Sequence, residues 1–305
     1  MRGTWPAPRF AQLGAFRVAY RDLGAPDGPP VLFVHGLGSS GLSWSRNVAR
    51  LGARHRLIVV DLPGCGDSAK PPYRYTLGFF ARRLLRLLDH LGVERPVWAG
   101  HSMGAHIAML AALEHPERVR ALLLSAPAGF ERFTEAHASF LRRTVTPDWV
   151  RRQKPRDFKA NLEVAFHSVP PEAENLVARR FRMRGPELEG YAHAFSRCVH
   201  AMLDAPLWER LPELRPPVLA IYGEDDRLIP NRWLTPHHTT RSVAEAAVAR
   251  IPRARLVMLP RAGHMVHFER PTRFDEEATR FLDALETPVP VPVPVPMSRP
   301  AAGRD

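Results

Sequence analysis

Cysteine is scarce: Cys65 and Cys198 are the two in 305 residues. They lie far apart and without metal-ligand spacing, so the chain carries no disulfide framework, and both cysteines read as ordinary packing positions. Lysine is scarcer than the charge suggests. Of 43 basic residues only Lys70, Lys154 and Lys159 are lysines, and the arginines are spread from Arg2 to Arg304. No block of five like charges occurs. A formal charge of +12 would raise nucleic acid or an anionic surface as partners, but no basic cluster or recognition motif accompanies it, so no nucleic acid is expected. No apolar run approaches the roughly 20 residues of a membrane-spanning helix. The first 16 residues lack the apolar stretch of a secretory signal, and the expectation is a cytoplasmic protein acting on a small molecule, with monomer and homodimer both open.

What is present is the composition of a folded chain, 45% hydrophobic and 24% charged, at a length that carries two small domains or one large one. Short β-rich apolar runs alternate with longer helical patterns, the signature of a parallel sheet wrapped by crossover helices. The strands are expected at Phe16 to Asp22, Val31 to Val34, Leu57 to Val60, Val97 to Ala99, Ala121 to Ser125, Val218 to Tyr222 and Leu256 to Leu259. The first should enter antiparallel. Apolar residues three and four apart from Leu77 to Leu91 predict an amphipathic helix stopped by Gly92, and Ile107 to Leu113 predicts a buried one.

Between Ser125 and Val218 the strand rhythm disappears. So long a stretch rarely lacks structure of its own, and apolar, Arg-rich patterns at Phe133 to Arg143, Phe158 to Phe166, Leu176 to Met183 and Tyr191 to Leu203 predict a helical insertion over the open end of the sheet. Residues 1–127 and 213–286 would then form the core, 128–212 the lid, and 287–305 a disordered tail whose Pro-Val alternation favours polyproline II geometry.

Gly100-His-Ser-Met-Gly104 follows a strand and opens a helix, the setting in which a G-x-S-x-G turn holds its serine hydroxyl out at the sheet edge. Two later loops each follow a strand of their own. One, Tyr222 to Pro230, carries Asp225 and Asp226; the other, Pro260 to His267, carries His264. Ser, Asp and His thus come in one order at the carboxyl end of the expected sheet, where open α/β sheets place their sites.

With these residues the sequence resembles the α/β-hydrolase fold family from Phe16 to Leu285. The likeness includes His35-Gly-Leu-Gly38, similar to the family's oxyanion loop, and Asp61 to Ser68, similar to its loop after the following strand. It implies a mostly parallel α/β sheet with a helical lid inserted between strands six and seven. It also implies Ser102 as nucleophile, His264 as base and Asp226, rather than Asp225, as the acid that orients it. The oxyanion would be held by the amides of Leu37 and Met103. His35 reads as structural. Trp44, Phe130, Met265 and Phe268 flank these loops and are expected to form an apolar pocket, with His267 at a position where the family often has a polar pocket residue. No metal or organic cofactor is implied.

The resemblance points first to an acyl hydrolase cleaving an ester, a serine esterase. The same groups serve C–C bond hydrolases, acyltransferases and perhydrolases. The ring-cleavage C–C hydrolases often carry Trp after the catalytic histidine, where this chain has Met265. Dehalogenases and epoxide hydrolases are set aside because position 102 is Ser, not Asp. A catalytically silent binding protein is the reading of a different class. The arginines of the insertion, Arg142, Arg143, Arg151, Arg152, Arg179 and Arg180, are expected mostly to face water.

Overall fold

The computed structural model describes residues 5–286, and the tail expected over 287–305 lies outside them. In chain order the strands are β1 (Arg9–Leu13), β2 (Phe16–Gly24), β3 (Pro30–Val34), β4 (Arg56–Val60), β5 (Val97–His101), β6 (Ala121–Ser125), β7 (Val218–Gly223) and β8 (Ala254–Leu259). They form one sheet in the order β1-β2-β4-β3-β5-β6-β7-β8. β2 runs antiparallel to β1 and β4, and every other pairing is parallel. β5, β6 and β7 are buried at every residue, which is why they read as unbroken apolar runs: helices cover both faces of a parallel sheet. β1 lies outside the sequence expectation. It is an edge strand with only Ala11 and Leu13 buried, a pattern too short to separate from a loop.

The helices are α1 (Val48–Leu51), α2 (Leu77–His90), α3 (Met103–Glu114), α4 (Glu135–Thr144), α5 (Pro147–Arg152), α6 (Pro155–Ala165), α7 (Glu174–Arg182), α8 (Gly185–Asp204), α9 (Thr240–Val248), α10 (Val266–Glu269) and α11 (Pro271–Glu286). α2 starts where Thr76 Oγ1 accepts from the Phe79 amide at 3.1 Å, a side-chain cap for an otherwise orphaned donor. α3 is buried from Met103 to Ala112, as a helix apolar on all sides must be. No helix among the described residues is long and apolar enough to cross a membrane.

α4 to α8 all fall between β6 and β7, the sixth and seventh strands. α5 is additional to the expected helices. Its six residues are too few for periodicity to reveal, though Thr146 accepts from the Trp149 amide and Pro147 occupies the first turn, both ordinary helix starts. These helices are bound to one another and to the sheet loops: Ser196 Oγ donates to the Val145 carbonyl at 2.7 Å and Tyr191 OH to that of Gly38 at 3.2 Å. The arginines divide. Arg143, Arg151 and Arg152 are exposed, whereas Arg180 is buried, donating to the Val150 carbonyl at 2.8 Å and lying over the Tyr191 ring. The expectation that it faces water fails because α5 and α8 enclose its guanidinium, offering it a carbonyl and an aromatic face.

Candidate active site

Ser102 sits between β5 and α3 at φ 51° and ψ −115°, a region that costs a non-glycine residue about 1–3 kcal/mol. The tightness of the turn explains both flanking glycines. A Cβ on Gly104 would stand 2.3 Å from the Val34 carbonyl oxygen, and one on Gly100 would stand 2.5 Å from the Ala105 backbone. Gly104→Ala is therefore expected to destabilise the fold by about 1–3 kcal/mol, because the clash is with a central strand that cannot yield. Thermal unfolding measures it, and an unchanged midpoint would show that β3 moves aside. Two backbone bonds hold the turn: the Ser102 amide donates to the Ser125 carbonyl at 3.0 Å, and the Ala128 amide donates to that of Ser102 at 3.2 Å.

Asp226 follows β7 and is fully buried. Its Oδ1 accepts from the Leu228 and Ile229 amides at 2.8 and 3.0 Å, and its Oδ2 lies 2.8 Å from His264 Nδ1. Asp225, one residue earlier, points elsewhere: half exposed, it pairs with His167 Nδ1 at 2.8 Å. The His264 loop is braced from below. Glu269 accepts from the amides of Gly263, His167 and Ser168 at 2.8, 3.1 and 2.7 Å, joining that loop to the segment after α6. Ser102 and His264 line the same cavity. No hydrogen bond joins their side chains among the described residues, as is common before substrate binds.

The loop of His35 to Gly38 is fixed through its histidine. His35 Nδ1 lies 2.8 Å from the Gly36 carbonyl, and its Nε2 accepts from the Leu62 amide at 3.0 Å, so both ring nitrogens are used by backbone. Asp61 supports the same region, accepting from the Gly41 and Asp67 amides at 2.7 and 2.9 Å. The amide of Leu37 meets no acceptor among the described residues, and that of Met103 is free as the first residue of α3.

Three further histidines surround the site. Burial holds His101 well below its ordinary pKa, His267 down to about 3 and His106 to about 4. All three stay neutral near pH 7. A positive charge formed on His264, whose ring centroid is 4.9 Å from that of His101, meets no neighbouring imidazolium. Burial pushes the Cys65 thiol up to about 12 and that of Cys198 well above its usual value, so neither is a nucleophile. Among the described residues no group of three His, Cys, Asp or Glu side chains is placed to hold a metal ion.

The cavity measures about 810 Å³. α4 to α8 build a large part of its wall, with Leu141, Val150, Leu162, Val177, Phe195 and Val199 among its apolar residues. Phe133, Trp149 and Leu228 both line it and reach solvent, which puts them at its mouth. Of the expected pocket residues Met265 belongs to this wall, and Trp44, Phe130, His267 and Phe268 do not; each is at most 1% exposed. Trp44 packs against His267, the rings tilted by 36° with centroids 4.1 Å apart, and His267 Nδ1 bonds Ser125 Oγ at 2.9 Å. Phe130 packs toward Tyr222 and Phe268 toward Phe166. Nearness in sequence to a loop does not set which way a side chain points. Glu131 escaped the sequence reading, in which it falls within the 128–212 insertion without a role; the structure puts it in the cavity wall.

The chain matches the α/β hydrolase fold family over residues 29–271. It is 30% identical over 282 residues to the dihydrolipoyllysine-residue acetyltransferase component of the acetoin cleaving system of Pseudomonas putida, covering 91% of this chain and 70% of that one. It is also 30% identical to a 2-hydroxy-6-oxononadienedioate/2-hydroxy-6-oxononatrienedioate hydrolase of Paraburkholderia phymatum, covering 87% and 91%. Among solved structures, a membrane phospholipase A described as a bacterial virulence factor superposes with a TM-score of 0.73 at 30% identity, covering 92% of this chain and 87% of the other.

Proposed function

This chain belongs to the α/β-hydrolase fold family, and on that premise we propose that it is a serine hydrolase cleaving the ester bond of a small, mainly apolar substrate through an acyl-enzyme on Ser102. The observation that carries the reading is the pairing of His264 Nδ1 with the buried Asp226 carboxylate in the wall of a cavity that also receives Ser102 from a strained turn. In this mechanism Ser102 Oγ attacks the ester carbonyl carbon while its proton passes to His264 Nε2. Asp226 keeps the Nδ1–H tautomer and stabilises the imidazolium. The amides of Leu37 and Met103 hold the oxyanion, each donor contributing about 3 kcal/mol to the barrier reduction. Collapse of the intermediate breaks the C–O bond, and His264 returns its proton to the departing alkoxide. Water then repeats the sequence on the acyl-enzyme, releasing the carboxylic acid and restoring Ser102.

The helices α4 to α8 act in this reading as a lid that holds the acyl chain. A series of p-nitrophenyl esters is expected to show a marked dependence of kcat/KM on chain length and little change between low and moderate salt, since exposed arginines beyond a Debye length of about 10 Å act only in steering. Replacing residues 131–205 by a short linker should alter chain-length preference more than reactivity toward a fluorophosphonate. A preference for an anionic ester, with kcat/KM collapsing as salt rises, would show instead that the lid arginines recognise substrate charge.

The relative from Paraburkholderia phymatum supports a second reading, C–C bond hydrolysis by the same groups, and the acetyltransferase component supports acyl transfer. The phospholipase A supports the ester. A ring-cleavage dienone and a competing acyl acceptor in the same assay series separate the three. A silent binding protein would show neither turnover nor a phosphonate adduct on Ser102.

A further inference from the structure

Three carboxylates line the cavity: Glu131, Glu135 and Glu209. Glu135 pairs with Arg142 and Glu209 with Arg250. Glu131 has no cation partner among the described residues. Its neighbour Arg132 lies over the Trp208 ring. Oε1 of Glu131 accepts from the Asn231 amide at 2.9 Å, and no donor among the described residues reaches Oε2. An unpaired carboxyl in a largely apolar wall is costly unless something completes its hydrogen bonding.

Its place gives the missing partner a chemistry. Glu131 shares the cavity wall with His264 and is bound, through the Asn231 amide, to the loop whose Asp226 pairs with His264. In the reaction proposed above His264 must hand a proton to the departing alkoxide, so a group held by the Asp226–Asn231 loop in the same wall lies toward the alcohol part of the ester, while the walls of α4 to α8 take the acyl chain. We infer that Glu131 determines specificity for the alcohol: its free oxygen hydrogen-bonds a hydroxyl on the leaving group, so that esters of polyols such as glycerol are preferred over esters of simple alkanols. A hydroxyl both donates and accepts, and it therefore pairs with either form of a carboxyl that burial pushes up to about 7. The inference rests on the esterase reading and extends it to a substrate class.

The test compares glyceryl monodecanoate, its bis-O-methyl ether and methyl decanoate, which share one acyl chain. The wild-type enzyme is expected to favour the free glyceryl ester over both others by tenfold or more in kcat/KM, in line with the discrimination that a buried hydrogen-bonding group provides. In Glu131→Leu the ratio of glyceryl to methyl ester should fall at least tenfold, whereas Glu131→Gln, which keeps hydrogen-bonding capacity, should retain most of it. The methyl ester registers anything the substitutions do to His264 itself, so the ratio isolates the alcohol. Equal wild-type rates on the glyceryl ester and its bis-O-methyl ether, or an unchanged ratio in the Leu variant, would overturn the inference even where a fluorophosphonate labels Ser102 fully. Failure of that labelling in the wild-type enzyme would overturn the esterase reading and this inference together.

Discussion

Ser102→Ala is expected to lower kcat on its best ester by about 10⁶, the scale on which losing a serine nucleophile disables a triad that acts as a unit. Alanine leaves the turn, the cavity and the amides of Leu37 and Met103 in place, so the loss isolates covalent chemistry from binding. The residual rate should still exceed the uncatalysed one by about 10³–10⁴, contributed by substrate positioning and the oxyanion donors. Intact-mass spectrometry after organophosphonate treatment checks the same assignment directly: one adduct on the native chain, located at Ser102, and none on the variant. An adduct retained in Ser102→Ala would move the nucleophile elsewhere and undo the mechanism.

Asp226→Asn should cost about 10⁴ in kcat, because an amide facing His264 Nδ1 no longer holds the proper tautomer or stabilises the cation. The fold itself gives no reason for so large an effect, since Asn keeps an oxygen for the Leu228 and Ile229 amides that Asp226 now satisfies. Asp225→Asn is the control one position away. That residue pairs with His167 in a contact where both side chains are more than 40% exposed, and such pairs contribute about 0–1 kcal/mol. Its turnover should stay within a few-fold of wild type. A crippled Asp225→Asn beside a near-normal Asp226→Asn would transfer the role of acid by one residue.

Much of the architecture was legible without coordinates. β3 to β7 announced themselves as short apolar runs because parallel strands are buried on both faces, and α2 did so because one face of it is solvated. The G-x-S-x-G turn was legible because only glycine tolerates contacts as close as those at Gly100 and Gly104. The loss of strand rhythm after Ser125 was legible as helix, although α5 was too short to leave a pattern. The choice of Asp226 over Asp225 came from resemblance alone; nothing in the composition of two adjacent aspartates distinguishes them. In the structure the two carboxylates face different partners, one His264 and the other His167.

The sequence by itself determined seven of the sheet's eight strands, the sharp turn at Ser102, and the order in which Ser, Asp and His meet the carboxyl end of successive strands, because each of these is written in local periodicity, in steric necessity or in chain order. Only the tertiary structure decided which side chains line the cavity. Trp44, Phe130, His267 and Phe268 stand in or beside the loops around the site yet turn into the core, and Glu131, near the start of the insertion, turns inward to meet the Asn231 amide. The direction of a loop side chain depends on what the rest of the chain packs against it, and residues brought together from 100 positions away leave no trace in local pattern.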